Sequence, residues 1–228
     1  MAGGRKIEFN QPVAVAVEGA DYFHLLRNCI AEKPEFSDVQ LFDFENLPDT
    51  GTLAAQTGSG PNANLARWLE IFKANHKGVA QALGIIRDAE DDAAAMTASV
   101  SNVLHRAGLP TPARPFEIRA GNPATAFLLI PHTADTGCLE YALLDAVNPR
   151  YDTLKKCAEQ YLVCVDNAGR NDRWRAKVRT HAIIASSDNP QATLGESVKM
   201  GLWDFSHPGL RVMLDFIKKL QEASRPSN

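Results

Sequence analysis

Acidic residues stand just past three short apolar runs. Glu18 follows residues 13–17 (VAVAV), Asp88 and Glu90 follow residues 82–86 (ALGII), and Glu140 comes soon after residues 126–131 (AFLLIP). Runs this short and this apolar read as strands buried on both faces, which implies a parallel sheet. Ligands of open parallel sheets bind at the carboxyl ends of the strands, so carboxylates far apart in sequence gather there. Gathered carboxylates repel one another unless a cation or protons intervene. Hard oxygen ligands in a partly open cluster suit Mg²⁺ or Mn²⁺. Glu18, Asp88, Glu90, Asp92 and Glu140 are therefore the candidate metal ligands. Plainer roles also fit some of them. Asp92 suits a helix N-cap, and Glu140 suits the first turn of a helix, where acids complement the macrodipole. Asp91 fits a solvated acid as well as a ligand.

The elements that must carry these residues alternate in type. Helical spacing is visible over residues 21–31 (Phe23, Leu26, Ile30), 65–74 (Leu65, Trp68, Leu69, Phe72), 93–107 (Met96, Val100, Val103, Leu104) and 139–147. Residues 39–44 form a further strand, and residues 116–119 fit a short edge strand. Strand–helix alternation of this kind predicts helices packed on both faces of a parallel sheet. After about residue 150 only helical patterns remain, over 151–165, 173–186, 194–200 and 210–223. The expected architecture is an α/β Rossmann-like parallel sheet of about four strands over residues 1–149, followed by an α-helical extension over 150–228 that packs on it.

The densest basic block lies in that extension: Arg170, Arg173, Arg175, Lys177 and Arg179, with Trp174 and His181 among them. On a helix, Arg170, Trp174, Lys177 and His181 share one stripe. Such a stripe can contact phosphates, with Trp174 placed to stack on a base. A solvated helix face with the indole packed inward fits the same pattern.

The motifs resemble the topoisomerase-primase (TOPRIM) domain. Its first motif, an apolar strand ending in Glu-Gly, reads Val15-Ala16-Val17-Glu18-Gly19 here, and an acid and a helix follow at Asp21-Tyr22-Phe23. Its second motif, a strand ending in Asp-x-Asp, reads Ile85-Ile86-Arg87-Asp88-Ala89-Glu90, with Glu90 one methylene longer than the usual acid. The segment Gly137-Cys138-Leu139-Glu140 resembles a Gly-x-Leu-Glu signature. That signature belongs to a bacterial subfamily related to the TOPRIM part of OLD-type nucleases. The segments around Lys177-Val178-Arg179-Thr180-His181 and Leu194-Gly195-Glu196-Ser197 also look like that subfamily. The resemblance implies Mg²⁺-dependent phosphoryl transfer on nucleic acid. Asp88 and Glu90 would hold the metal, with Glu18 as general acid or base or as a further ligand. Lys177 would lie near the scissile phosphate.

Composition bounds these readings. Hydrophobic residues at 45% and charged residues at 22% allow a full core and exclude a disordered chain. The net charge of −3 argues against tight, non-specific nucleic-acid binding driven by global charge. It conceals an asymmetry, however. Residues 1–150 carry 12 Lys+Arg against 18 Asp+Glu, while residues 151–228 carry 12 against 9. A locally basic extension facing an acidic pocket therefore stays compatible with a nucleic-acid partner. No apolar run reaches the ~18–20 residues of a membrane span, and MAGGRKIEF offers no signal-peptide core. Four scattered cysteines without CxxC spacing fit free thiols in a reducing cytoplasm. Residues 56–64 (QTGSGPNAN) lack the Gly-Lys-Ser/Thr of a phosphate loop and the glycines of a dinucleotide fingerprint, so they read as a connection. The leading expectation is a cytoplasmic, Mg²⁺- or Mn²⁺-dependent, nuclease-like phosphodiester enzyme. The alternatives are a non-catalytic nucleic-acid or nucleotide-binding module, and a partner-dependent subunit of a defence or repair system.

Overall fold

The computed structural model describes residues 7–47, 62–132, 134–165 and 169–225. Most of the connection at 56–64 therefore lies outside the described residues. Four strands, β1 (Val13–Val17), β2 (Val39–Asp43), β3 (Ala82–Asp88) and β4 (Ala124–Ile130), form one sheet in the order β2-β1-β3-β4, and every pairing is parallel. Between them run α1 (Gly19–Ile30), α2 (Ala63–Asn75) and α3 (Ala93–Arg106). After β4 come α4 (Leu139–Asp145), α5 (Asp152–Cys164), α6 (Asp172–Ala185), α7 (Leu194–Lys199) and α8 (Pro208–Ala223). This is the α/β, Rossmann-like parallel arrangement that the apolar runs predict.

Alternation along the strands divides the core into two layers. Val13, Val15, Val17, Ile86, Leu128 and Ile130 face α1, α4 and the C-terminal helices. Ala14, Ala16, Leu83, Ile85, Phe127 and Leu129 face α2 and α3. The C-terminal helices share the first layer, since Leu210, Met213, Phe216, Ile217 and Leu220 of α8 are buried in it. Gly84 of β3 makes room for α8: a Cβ there would lie 2.3 Å from Leu220 Cδ1 and 3.0 Å from Phe216 Cε1.

One expected element does not form. Residues 116–119 are not a strand; Arg119 makes a single antiparallel bridge to Thr125 at the β4 edge. Phe116, with φ at 66°, leaves the extended region; its N–H still donates to the Phe127 carbonyl at 2.7 Å, but no ladder forms. Among the described residues, no helix is long and apolar enough to cross a membrane.

Candidate functional site

The strand order creates a crevice between β1 and β3. The chain leaves β1 into α1 on one face and leaves β3 into α3 on the other, so the two loops part above neighbouring strand ends. Val17 pairs with Ile86, which sets Glu18 beside Arg87 and Asp88. The Glu18 N–H extends the ladder by donating to the Ile86 carbonyl at 3.1 Å. Gly19 then turns the chain into α1 with φ at 83°, and a Cβ there would lie 2.9 Å from Glu45 Oε2. The Glu-Gly pair is thus a carboxylate at a strand end followed by a residue that must be small and left-handed.

Arg87 and Asp88 point to opposite faces, as neighbours on a strand do. Arg87 turns toward α2 and is fully buried. Its Nη2 donates to Glu18 Oε1 at 2.6 Å, and its Nη1 donates to Asn62 Oδ1 at 2.8 Å. Glu18 Oε2 accepts the Asp88 backbone N–H at 3.0 Å. Asp88 turns toward α1 and α4. Its Oδ1 accepts from the Tyr22 hydroxyl at 2.6 Å and from the Leu139 N–H at 2.9 Å. Both bonds fall on one oxygen of the carboxylate. Burial pushes the Asp88 carboxyl up to about 7; its hydrogen bond from Tyr22 works the other way, and the charges of Glu18 and Glu140 add to the rise. Burial and Asp88 likewise hold the Tyr22 hydroxyl well above its ordinary range.

Glu90 stands on the loop after β3, with φ at 60°. Its backbone exchanges two hydrogen bonds with Gly137, at 2.9 and 2.7 Å, and these tie this loop to the entrance of α4. One oxygen each from Glu18, Asp88 and Glu90 lie within 4.8 Å of one another. The oxygens of a Mg²⁺ octahedron lie about 3–4 Å apart, so the three are a short side-chain adjustment from sharing one ion. The donor set, all hard oxygens, fits Mg²⁺ or Mn²⁺.

The other expected ligands sit differently. Asp92 is the N-cap of α3, with its Oδ1 accepting the Ala95 N–H at 2.9 Å, and it stands apart from the three converging carboxylates. Glu140 is buried in the first turn of α4 beside Asp88 and Cys138. Its Oε1 lies 3.9 Å from Lys177 Nζ. Burial, reinforced by Glu140, pushes the Cys138 thiol up to about 12, far from a nucleophile's range.

The basic block divides. Arg173 Nη1 makes an ion pair with Glu90 Oε2 and lies 3.9 Å from Asp91. Arg173 and Lys177, four residues apart on α6, thus both reach the acidic edge. The expected stripe is interrupted because Arg170 precedes the helix: Asn171 caps α6, and the Arg170 guanidinium stacks over Trp174 at 5.1 Å. His181 is exposed, Trp174 is half-buried, and Arg179 faces a cavity on the other side of α6. Sequence reasoning missed Tyr22 and Arg87 as parts of the site. Arg87 carried a usable signal: a guanidinium inside an apolar strand requires a carboxylate partner.

A family model described as "Protein of unknown function (DUF3226)" matches residues 12–222. The chain belongs to the DUF3226 family. No curated protein and no solved structure matches it. The matched span runs from just before β1 to the last turn of α8 and includes every residue of the carboxylate site and of α6.

Proposed function

We propose that this DUF3226 protein is a divalent-cation-dependent phosphodiester enzyme acting on nucleic acid, nuclease-like in its chemistry. The observation that carries the reading is the approach of Glu18, Asp88 and Glu90 to within 4.8 Å at the β1–β3 crevice. The TOPRIM resemblance of the two strand-end motifs supports it, as does the presence of Arg173 and Lys177 across the crevice.

Asp88 and Glu90 would hold Mg²⁺ or Mn²⁺. When bound, the ion supplies charge stabilisation at a phosphoryl oxygen. Glu18 has both oxygens engaged, by Arg87 and by the Asp88 N–H. We assign it a holding role, as ligand and as anchor of Asp88, rather than that of a general base. Lys177, half-exposed, and Arg173 are the cations available to a substrate phosphate. Four free cysteines fit a cytoplasmic protein. The Arg173–Glu90 ion pair favours a second reading, a binding module whose acidic pocket is already neutralised by its own arginine. A subunit that acts only with a protein partner is the third.

The test is incubation with supercoiled, linear and single-stranded DNA, and with RNA, in Mn²⁺ or Mg²⁺. Cleavage is expected, stopped by chelator and reduced at least about 100-fold by Asp88→Ala, since loss of even outer-shell partners costs 10–100-fold. Absence of product with either cation, or cleavage that survives Asp88→Ala, would overturn the enzyme reading. Binding without cleavage that survives the substitution points to the module. Activity only with a co-purifying protein points to the subunit.

A further inference from the structure

The basic residues of α6 occur in two pairs on opposite sides of the helix. Residues two apart on a helix differ by about 200° in direction. Arg173 and Lys177 meet the carboxylates, so Arg175 and Arg179 face away from them. Those two line a cavity of about 540 Å³ between α4, α5 and α6, where Lys155 of α5 joins them. That volume lies within the range of small-molecule sites.

The cavity sorts its charges by depth. Lys155, Arg175 and Arg179 are half-buried, whereas Asp145, Glu159 and Asp172 are exposed at its mouth. Arg175 lies 3.4 Å from Asp172. Among the described residues, Lys155 and Arg179 join no ion pair, whereas Arg175 pairs with Asp172. Two half-buried cations on one cavity wall repel unless an anion intervenes. An anion bound between them offsets that repulsion. Tyr141 and Leu144, both half-buried, add an aromatic and an apolar surface to the same cavity.

We propose that this cavity is a nucleotide site that grips a terminal phosphate, separate from the carboxylate cluster. The three half-buried cations fit a phosphate monoester. The acids at the mouth fit the amino and hydroxyl donors of a base and a ribose, and they repel the continuous backbone of a polymer. Tyr141 and Leu144 give the base or sugar a surface to lie on. The proposal does not depend on the carboxylates holding a cation. Tyr141 adjoins both places, because it packs on Gly137, whose backbone is bonded to Glu90.

The test is calorimetric titration, in chelator, of the full chain with the four ribonucleoside 5′-monophosphates, with adenosine, with inorganic phosphate, and with a 5′-phosphorylated single-stranded oligonucleotide. At least one nucleotide should bind one to one and about tenfold or more tighter than adenosine or phosphate alone. Arg179→Met should weaken it about 10–100-fold, as loss of a charge-assisted hydrogen bond does. Lys155→Met, on the half-exposed wall, should weaken it in the same direction. Asp88→Asn should leave it unchanged, which keeps this result apart from the fate of the cation site. Binding of only the phosphorylated oligonucleotide would overturn the nucleotide site, because the acids at the mouth should repel a polymer backbone. Nucleotides that bind no tighter than adenosine would overturn it as well. So would wild-type affinity in both folded variants.

Discussion

Arg87 and Asp88 are adjacent residues with opposite electrostatic problems. Arg87 is fully buried and Glu18 is its carboxylate partner. Arg87→Met would leave the Glu18 carboxylate, 13% exposed, without its counter-charge. Such a loss costs about 3–5 kcal/mol, so thermal melts should show a severe drop that a further Glu18→Gln change largely restores. Asp88 is a carboxyl pushed up to about 7 from 3.8 by burial and by its acidic neighbours. Between those values the native chain keeps a proton that the unfolded chain has lost. Cation-free protein should therefore lose stability as pH rises from about 4 to about 7. In chelator, the melting temperature should fall across that window in wild type and much less in Asp88→Asn; parallel curves would contradict this. A cation needs the ionised carboxylate, so its affinity should rise over the same interval.

At the scale of elements, the carboxylate cluster depends on how closely the helices approach the sheet. Gly84 lets α8 lie on β3, so Gly84→Ala should destabilise the protein by about 1–3 kcal/mol through overpacking. Removing the colliding side chain as well, with Leu220→Ala, should give a double variant less destabilised than the sum of the two changes. Strands β1, β3 and β4 were legible in the sequence because each holds a short apolar run, the mark of burial on both faces, whereas the edge strand β2 (VQLFD) is half-buried along its length. Helix α6 was legible as a helix but not in its use. Spacing alone put Arg170 on its stripe, whereas Asn171 caps the helix and excludes it. In the edge segment at 116–119, Phe116 and Ile118 suit a strand by type, whereas the backbone at Phe116 does not. Tyr22 could not be found from spacing, since its hydroxyl meets Asp88 only through the packing of α1 on the sheet.

For the whole molecule, the near-neutral charge conceals an acidic sheet end opposed by a basic helix. The order β2-β1-β3-β4 opens a crevice at the ends of β1 and β3, and α6 reaches its β3 side with Arg173 on Glu90 and Lys177 near Glu140. Arg173 holds an oxygen that a cation needs. Releasing it with Arg173→Gln should tighten Mn²⁺ binding several-fold, measured as free Mn²⁺ by paramagnetic resonance. Unchanged or weaker binding would mean that the arginine only braces the loop. Whether Glu18, Asp88 and Glu90 form one cation site is decided by titrating the full chain with Mn²⁺ at pH 8. Saturable binding is expected at millimolar concentration or below, lost in Asp88→Asn and weakened in Glu90→Gln. Wild type that takes up no Mn²⁺ in that range, or Asp88→Asn that binds it equally well, would exclude the shared site.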